Sequence, residues 1–207
     1  MKEKKTADWS IERTYYDRGI TRLCGVDEAG AGPLMGPVCA AAVILPPYVE
    51  LEGLNDSKQL TEKKRDALYD AIVACAEAWA VAFVTHEEID KINILNARML
   101  AMERAIGALS TPAEFALIDG NRSSGITCPN ETVVGGDARS MSIAAASVLA
   151  KVTRDRYVCD VLAPQYPQYR FEKHKGYGTK LHYEMLDLYG PSEVHRKTFL
   201  KKWEARR

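Results

Sequence analysis

Asp27-Glu28-Ala29-Gly30 and Asp119-Gly120 each set carboxylates at the end of an apolar run, where a strand stops at a glycine-containing loop. Another acid, Asp137, follows Gly135-Gly136 and precedes an Ala-rich stretch. Taken singly, each has an ordinary explanation: Asp beside Gly is usually a turn residue, and Asp before a helix is usually an N-cap. Together they weigh differently. Leu23, Cys24, Gly25 and Val26 carry no charge, so Asp27 and Glu28 close a buried run as adjacent like charges that need a compensating cation. Neighbouring strand residues face opposite ways, so both acids reach one site only if the chain turns at Glu28, which Gly30 makes easy. With no His or Cys cluster nearby in sequence, oxygen ligation of Mg²⁺ or Mn²⁺ is favoured over zinc. Hard cations held by carboxylates are the usual means of phosphoryl transfer, activating water and stabilising the leaving oxygen. The residues by themselves lead to a metal-dependent phosphoryl-transfer site and no further.

These acids need a frame. Residues 8–18 read as a short amphipathic helix capped by Ser10, and 22–27 as a strand. Residues 38–45 form a second, wholly apolar strand closed by Pro46-Pro47. A helix over 61–78 is capped by Thr61, with Leu68, Ile72 and Cys75 at helical spacing. The pattern continues with a strand over 80–85, a helix over 93–109 and strands over 115–119 and 132–135. A long Ala-rich helix over 142–162 is stopped by Pro164, and a last helix over 179–189 ends at Gly190-Pro191. A hairpin-like start followed by helix–strand alternation predicts an α/β domain on a mixed central sheet.

Composition bounds the rest. The chain has 207 residues, enough for one domain with a small appendage. With 28 basic and 28 acidic residues its formal charge is zero, so a polyanion must be held by a local basic patch. Cys24, Cys39, Cys75, Cys128 and Cys159 are odd in number and form no CxxC pair; they read as small core residues in a reducing cytoplasm. No signal-peptide h-region or membrane-length apolar run is present, so a cytoplasmic protein is expected.

The residues resemble a known family. Gly25-Val-Asp-Glu-Ala-Gly-Ala-Gly-Pro-Leu-Met-Gly-Pro-Val38 is similar to the signature of ribonuclease HII. So are Asn55-Asp-Ser-Lys58, Ile118-Asp-Gly120, Gly136-Asp137 with Ser142-Ile-Ala-Ala-Ala-Ser147, Ala150-Lys-Val-Thr-Arg-Asp155 and His174-Lys-Gly-Tyr-Gly-Thr179, in the family's order. The resemblance implies an RNase H-like fold: a helical lead-in over 1–20, a core over about 21–163, and a helical part over about 164–207 that closes over the substrate. It implies a catalytic and metal-binding quartet of Asp27, Glu28, Asp119 and Asp137, loaded with two Mg²⁺ or Mn²⁺ ions during catalysis. The implied reaction is in-line hydrolysis on the 5′ side of ribonucleotides, in RNA–DNA hybrids or singly embedded in duplex DNA, leaving a 3′-hydroxyl and a 5′-phosphate. That is a ribonucleotide-excision task, and a monomer is expected. Ribonuclease HIII fits less well, because that relative carries a sizeable N-terminal substrate-binding domain and only some two dozen residues precede the motif here.

Backbone groups of Gly30, Ala31 and Gly32 are expected to read the ribose 2′-hydroxyl, which alone separates RNA from DNA at one sugar. The family's loop is Gly-Arg-Gly. Ala31 supplies no guanidinium for a phosphate or for bracing the loop, so weaker substrate binding with retained chemistry is expected. Tyr177 is expected to pack on the sugar 3′ of the ribonucleotide. Asn55, Ser57, Lys58, Lys151, Arg154, Lys175 and Thr179 are candidate substrate contacts, the basic ones with phosphates. The basic tail from Lys197 to Arg207 reads as a solvated helix face at least as well. Two rival readings are a nucleic-acid-binding protein with little catalysis and another RNase H-fold nuclease that ignores the 2′-hydroxyl.

Overall fold

A computed structural model describes residues 7–54, 57 and 60–206. Its elements are α1 (Ser10–Tyr16), β1 (Leu23–Ala29), β2 (Val38–Ile44), α2 (Glu62–Cys75), β3 (Ala78–Val84), α3 (His86–Gly107), β4 (Phe115–Asp119) and β5 (Asn130–Val133). There follow α4 (Met141–Arg156), α5 (Ala163–Gln165), α6 (Phe171–His174), α7 (Lys180–Tyr189) and α8 (Lys197–Glu204). The strands form one mixed sheet in the order β3-β2-β1-β4-β5. β1 pairs antiparallel with β2 and parallel with β4, so the carboxyl ends of β1 and β4 lie at the same edge.

Each face of the sheet carries its own core. Cys24 and Val26 face α3, packing with Ile89, Ala101, Met102 and Ala105. On the other face α4 presses against β1, and a Cβ at Gly25 would lie 2.1 Å from the carbonyl carbon of Ser142. Only glycine at 25 permits that approach. A third cluster joins Leu34 and Met35 of the loop after β1 to Phe171, Leu186, Leu200 and Trp203 of the C-terminal helices. The loop that follows the acids is thus rooted in the C-terminal part. Among the described residues, no helix is long and apolar enough to cross a membrane.

Several expected elements shift. β4 coincides with its expected span, and Thr61 caps α2 by accepting the Lys64 N–H at 3.3 Å. Ser10 is not a cap; Asp8 Oδ1 accepts the Ser10 N–H at 2.8 Å instead. α3 begins seven residues earlier than the expected 93, because Thr85 and Glu88 form a reciprocal capping box. Asn93, at φ 65°, breaks that helix and restarts it by accepting the Asn96 N–H at 3.1 Å. β5 ends before Gly135, whose left-handed φ of 64° turns the chain into a short 3₁₀ turn, Gly136–Ala138. Pro164 does not stop the long helix outright: α4 loosens into a π-helical turn over Tyr157–Leu162, and Pro164 sits in the first turn of α5, where its missing N–H is tolerated.

Candidate active site

The expected turn at Glu28 is absent. β1 runs on through Ala29, with Glu28 paired to Ala40 and Ala29 to Cys39. Asp27 and Glu28 therefore leave opposite faces of the strand. Asp27, 4% exposed, points toward α4 and hydrogen-bonds Ser147, whose Oγ lies 2.8 Å from Ser57 Oγ. Its Oδ1 also accepts the Glu28 N–H at 2.7 Å. Glu28 points toward α3, where Arg98 Nε lies 2.7 Å from its Oε1.

Parallel pairing of Val26 with Ile118 brings Asp119 beside the end of β1. Asp119 Oδ1 accepts the Gly136 N–H at 2.7 Å, which draws the 3₁₀ turn carrying the buried Asp137 alongside. Burial, then the charges of Glu28 and Asp119, raise the Asp27 carboxyl well above its ordinary value. Such crowded acids invite a cation. Among the described residues, no group of three or more His, Cys, Asp or Glu side chains is already arranged to hold an ion. The donor chemistry nonetheless fits a hard divalent cation: the acids are oxygen donors, and Asp27 lacks a compensating charge strong enough to keep its carboxyl acidic. To ligate such an ion through Oε1, Glu28 has to turn from Arg98.

The loop beyond the acids is held from beneath by two buried arginines. Arg196 donates to the carbonyls of Gly36 at 2.9 Å, Ala31 at 3.0 Å and Gly30 at 2.7 Å. Arg154 donates to the carbonyls of Pro37 at 3.3 Å and Lys175 at 3.0 Å. Gly30 has φ 92°, and a Cβ there would lie 2.2 Å from Arg154 Nε. Gly32 is under no such pressure: a Cβ would make ordinary van der Waals contact with Tyr177 Cε1 at 3.8 Å. Tyr177 is 40% exposed, with Lys151 Nζ 5.5 Å and Arg154 Cζ 5.9 Å from its ring centroid.

The arrangement changes several expected contacts. Arg154 is not a surface phosphate ligand, since it is wholly buried and braces the loop. Lys175 turns its ammonium to Cys159 Sγ at 2.6 Å and to the Glu172 carbonyl at 3.0 Å. Lys151 pairs with Asp155 at 2.9 Å, Thr179 caps α7 by accepting the His182 N–H at 3.3 Å, and Ser57 is buried against Ser147. Asn55 and Lys58 lie outside the described residues.

The sequence profile of the ribonuclease HII family matches residues 24–202. A curated ribonuclease HII from Endomicrobium trichonymphae is 53% identical over 192 residues, covering 92% of this chain and 91% of its own length. The chain belongs to the ribonuclease HII family. Its activity is that of a ribonuclease H endonuclease, and its fold is RNase H-like. The ribonuclease H2 from Pyrococcus horikoshii OT3 superposes with TM-score 0.70 at 26% identity, covering 89% of this chain and 97% of that one. Bst-RNase HIII in complex with Mn²⁺ superposes with TM-score 0.61 at 18% identity, covering 89% and 70% of the two chains.

For a ribonuclease HII, the unexpected residues are Arg196, Arg98 and Ser147. Arg196 sits next to the tail that looked merely basic, and its partners are 160 or more positions away in sequence. Ser147 carried a weak signal, a hydroxyl on the buried face of an Ala-rich helix. Arg98 carried none.

Proposed function

We propose that this ribonuclease H hydrolyses the phosphodiester on the 5′ side of ribonucleotides, both in RNA–DNA hybrids and singly embedded in duplex DNA, leaving a 3′-hydroxyl and a 5′-phosphate. One observation carries the reading. The loop that continues β1 straight from Asp27 and Glu28 lies directly beside the half-exposed ring of Tyr177 at Gly32, which is itself exposed. Sugars laid across that surface meet loop backbone groups and, next to them, an aromatic ring, beside the acids. Carbonyl oxygens have two lone pairs, so the Gly30 and Ala31 carbonyls bound by Arg196 can each still accept a 2′-hydroxyl. Tyr177 packs against the neighbouring deoxyribose, and residues 164–207 close over the duplex.

Asp27, Glu28, Asp119 and Asp137 would hold Mg²⁺ or Mn²⁺, supplying Lewis-acid stabilisation of the charge that develops on the phosphate. The chain's own contribution is positional. Ser147 and the Glu28 N–H aim Asp27, and the Gly136 N–H aims Asp119. The two arginines keep the loop in place.

The test uses labelled duplexes: all-DNA, DNA with one ribonucleotide, and an RNA–DNA hybrid, each with Mg²⁺, Mn²⁺ or chelator. Metal-dependent cutting 5′ of the ribonucleotide, absent in all-DNA and in Asp27→Asn, is expected. Tight binding without any metal-dependent cutting would instead favour a nucleic-acid-binding protein with little catalysis. Cutting of all-DNA would favour a nuclease indifferent to the 2′-hydroxyl.

A further inference from the structure

His174, His182 and His195 lie buried beneath Tyr177, outside the catalytic machinery described above. Phe171 packs edge-on against His174 and His182, and the rings of those two histidines stack 4.3 Å apart. Partners of unambiguous role decide which ring nitrogen carries each proton. The Gly176 N–H donates to His174 Nδ1 at 3.2 Å, so the His174 proton is on Nε2, facing the Tyr169 carbonyl at 3.0 Å. The Ser192 N–H donates to His195 Nδ1 at 2.9 Å, which puts the His195 proton on Nε2.

His195 Nε2 lies 3.0 Å from His182 Nε2, so the latter must accept and the His182 proton must be on Nδ1. The far end gives the same answer independently. His182 Nδ1 lies 3.0 Å from the carbonyl of Tyr177, which can only accept. The chain Ser192–His195–His182–Tyr177 thus has one consistent protonation, with both histidines neutral. Burial favours that state, holding His182 down to about 4 and His195 to about 3.

We propose that His182, locked in its Nδ1–H form by His195, is a positioning residue that fixes the Tyr177 carbonyl and so aims the Tyr177 ring at the substrate sugar. The proposal rests on the reading of Tyr177 as a substrate contact. The Tyr177 N–H is already bound to the His174 carbonyl at 2.9 Å, and its carbonyl also accepts the Thr179 N–H at 2.8 Å. Among the described residues, His182 supplies the one side-chain bond to that carbonyl, arriving from the C-terminal core. Removing it frees the peptide to rock about the remaining bonds and loosens the ring above Lys151 and Arg154.

Two measurements on the full chain test this. Long-range ¹H–¹⁵N correlation at neutral pH is expected to show His182 as Nδ1–H, with His195 and His174 as Nε2–H. His182 as Nε2–H would overturn the proposal. In kinetics with a duplex bearing one ribonucleotide, His182→Leu is expected to raise KM by about two- to tenfold, the worth of one hydrogen bond, with kcat little changed. His182→Asn, whose amide N–H can occupy the Nδ1 position, is expected to recover most of that loss. In a Tyr177→Ala background, His182→Leu should add no further defect. An equal defect in that background would mean that His182 acts only on general packing, and would overturn the proposal. Should His182→Leu fail to fold, the Asn variant and His195→Gln give the same comparison. If the unaltered chain cuts no ribonucleotide substrate, the functional reading fails, while the spectrum still decides the histidine chain.

Discussion

Arg196 takes a guanidinium into the interior and spends its donors on three loop carbonyls. Burial, then the nearby charge of Arg154, lowers it to about 9. Lysine cannot reproduce that fork. Arg196→Lys is therefore expected to raise KM for ribonucleotide duplexes by about one to two decades, the worth of a charge-assisted hydrogen bond, with a smaller change in kcat. The same brace bears on Ala31, whose missing guanidinium is not what supports the loop. Ala31→Arg is expected to tighten KM without altering cleavage position, and unchanged kinetics would show that the lost charge has no bearing on substrate. Asp27 predicts opposite effects on two observables. Asp27→Asn should abolish cutting, yet raise stability in chelator by about 0.5–2 kcal/mol, because it removes a buried, repelled charge. A raised carboxyl costs stability only as pH rises from the unfolded value through the folded one. The gain should accordingly shrink on acidification, which thermal melts at several pH values would reveal.

α1 does more than lead into the sheet. Its buried Glu12 accepts the Ser140 hydroxyl at 2.6 Å and the Ser142 N–H at 2.9 Å, placing a carboxylate at the start of α4. That is the favourable end of the helix dipole. Glu12→Ala is expected to lower the urea midpoint by the equivalent of about 1–3 kcal/mol with an unchanged slope. Elements of this kind mark the limit of what sequence discloses. β4 was legible because its apolar run begins and ends within five residues and is closed by Asp119-Gly120. α2 was legible through Thr61 and its helical spacing. The first turns of α3 were hidden because His86-Glu87-Glu88 looks like solvated loop until Thr85 is seen capping it. Asp27, Glu28, Asp119 and Asp137 could be chosen as candidates from type and position alone. The direction of Glu28 could not be foreseen, since it depends on whether β2 keeps pairing past Asp27. Arg154 misled for a related reason: a basic residue in a matched motif looks like a phosphate ligand until the fold buries it.

The molecule's pH response should follow its histidine core. His174, His182 and His195 all have folded values below that of an unfolded histidine, with burial the leading cause. Above about 6.5 they are neutral in both states; as pH falls from there toward the folded values, only the unfolded chain gains protons. Stability is therefore expected to rise from pH 4 to 6.5 by several kcal/mol in total and to level off above, an order of magnitude set by about 1.4 kcal/mol per pH unit and group. Denaturant titrations of Asp27→Asn across that range, free of the opposite slope of the raised Asp27 carboxyl, would measure it, and a flat profile there would contradict neutral buried imidazoles. The stitching of residues 30–37 to the far C-terminus has another consequence. Leu34 bonds Gly176 and Arg196, and Gly36 bonds Val194, so the loop takes its shape against a segment far later in the chain. A chain severed before Val194 would keep β1 to β5 and Asp27, Glu28, Asp119 and Asp137, yet lose the bonds that give the loop after β1 its shape: scaffold and acids are encoded apart from the mould that frames them.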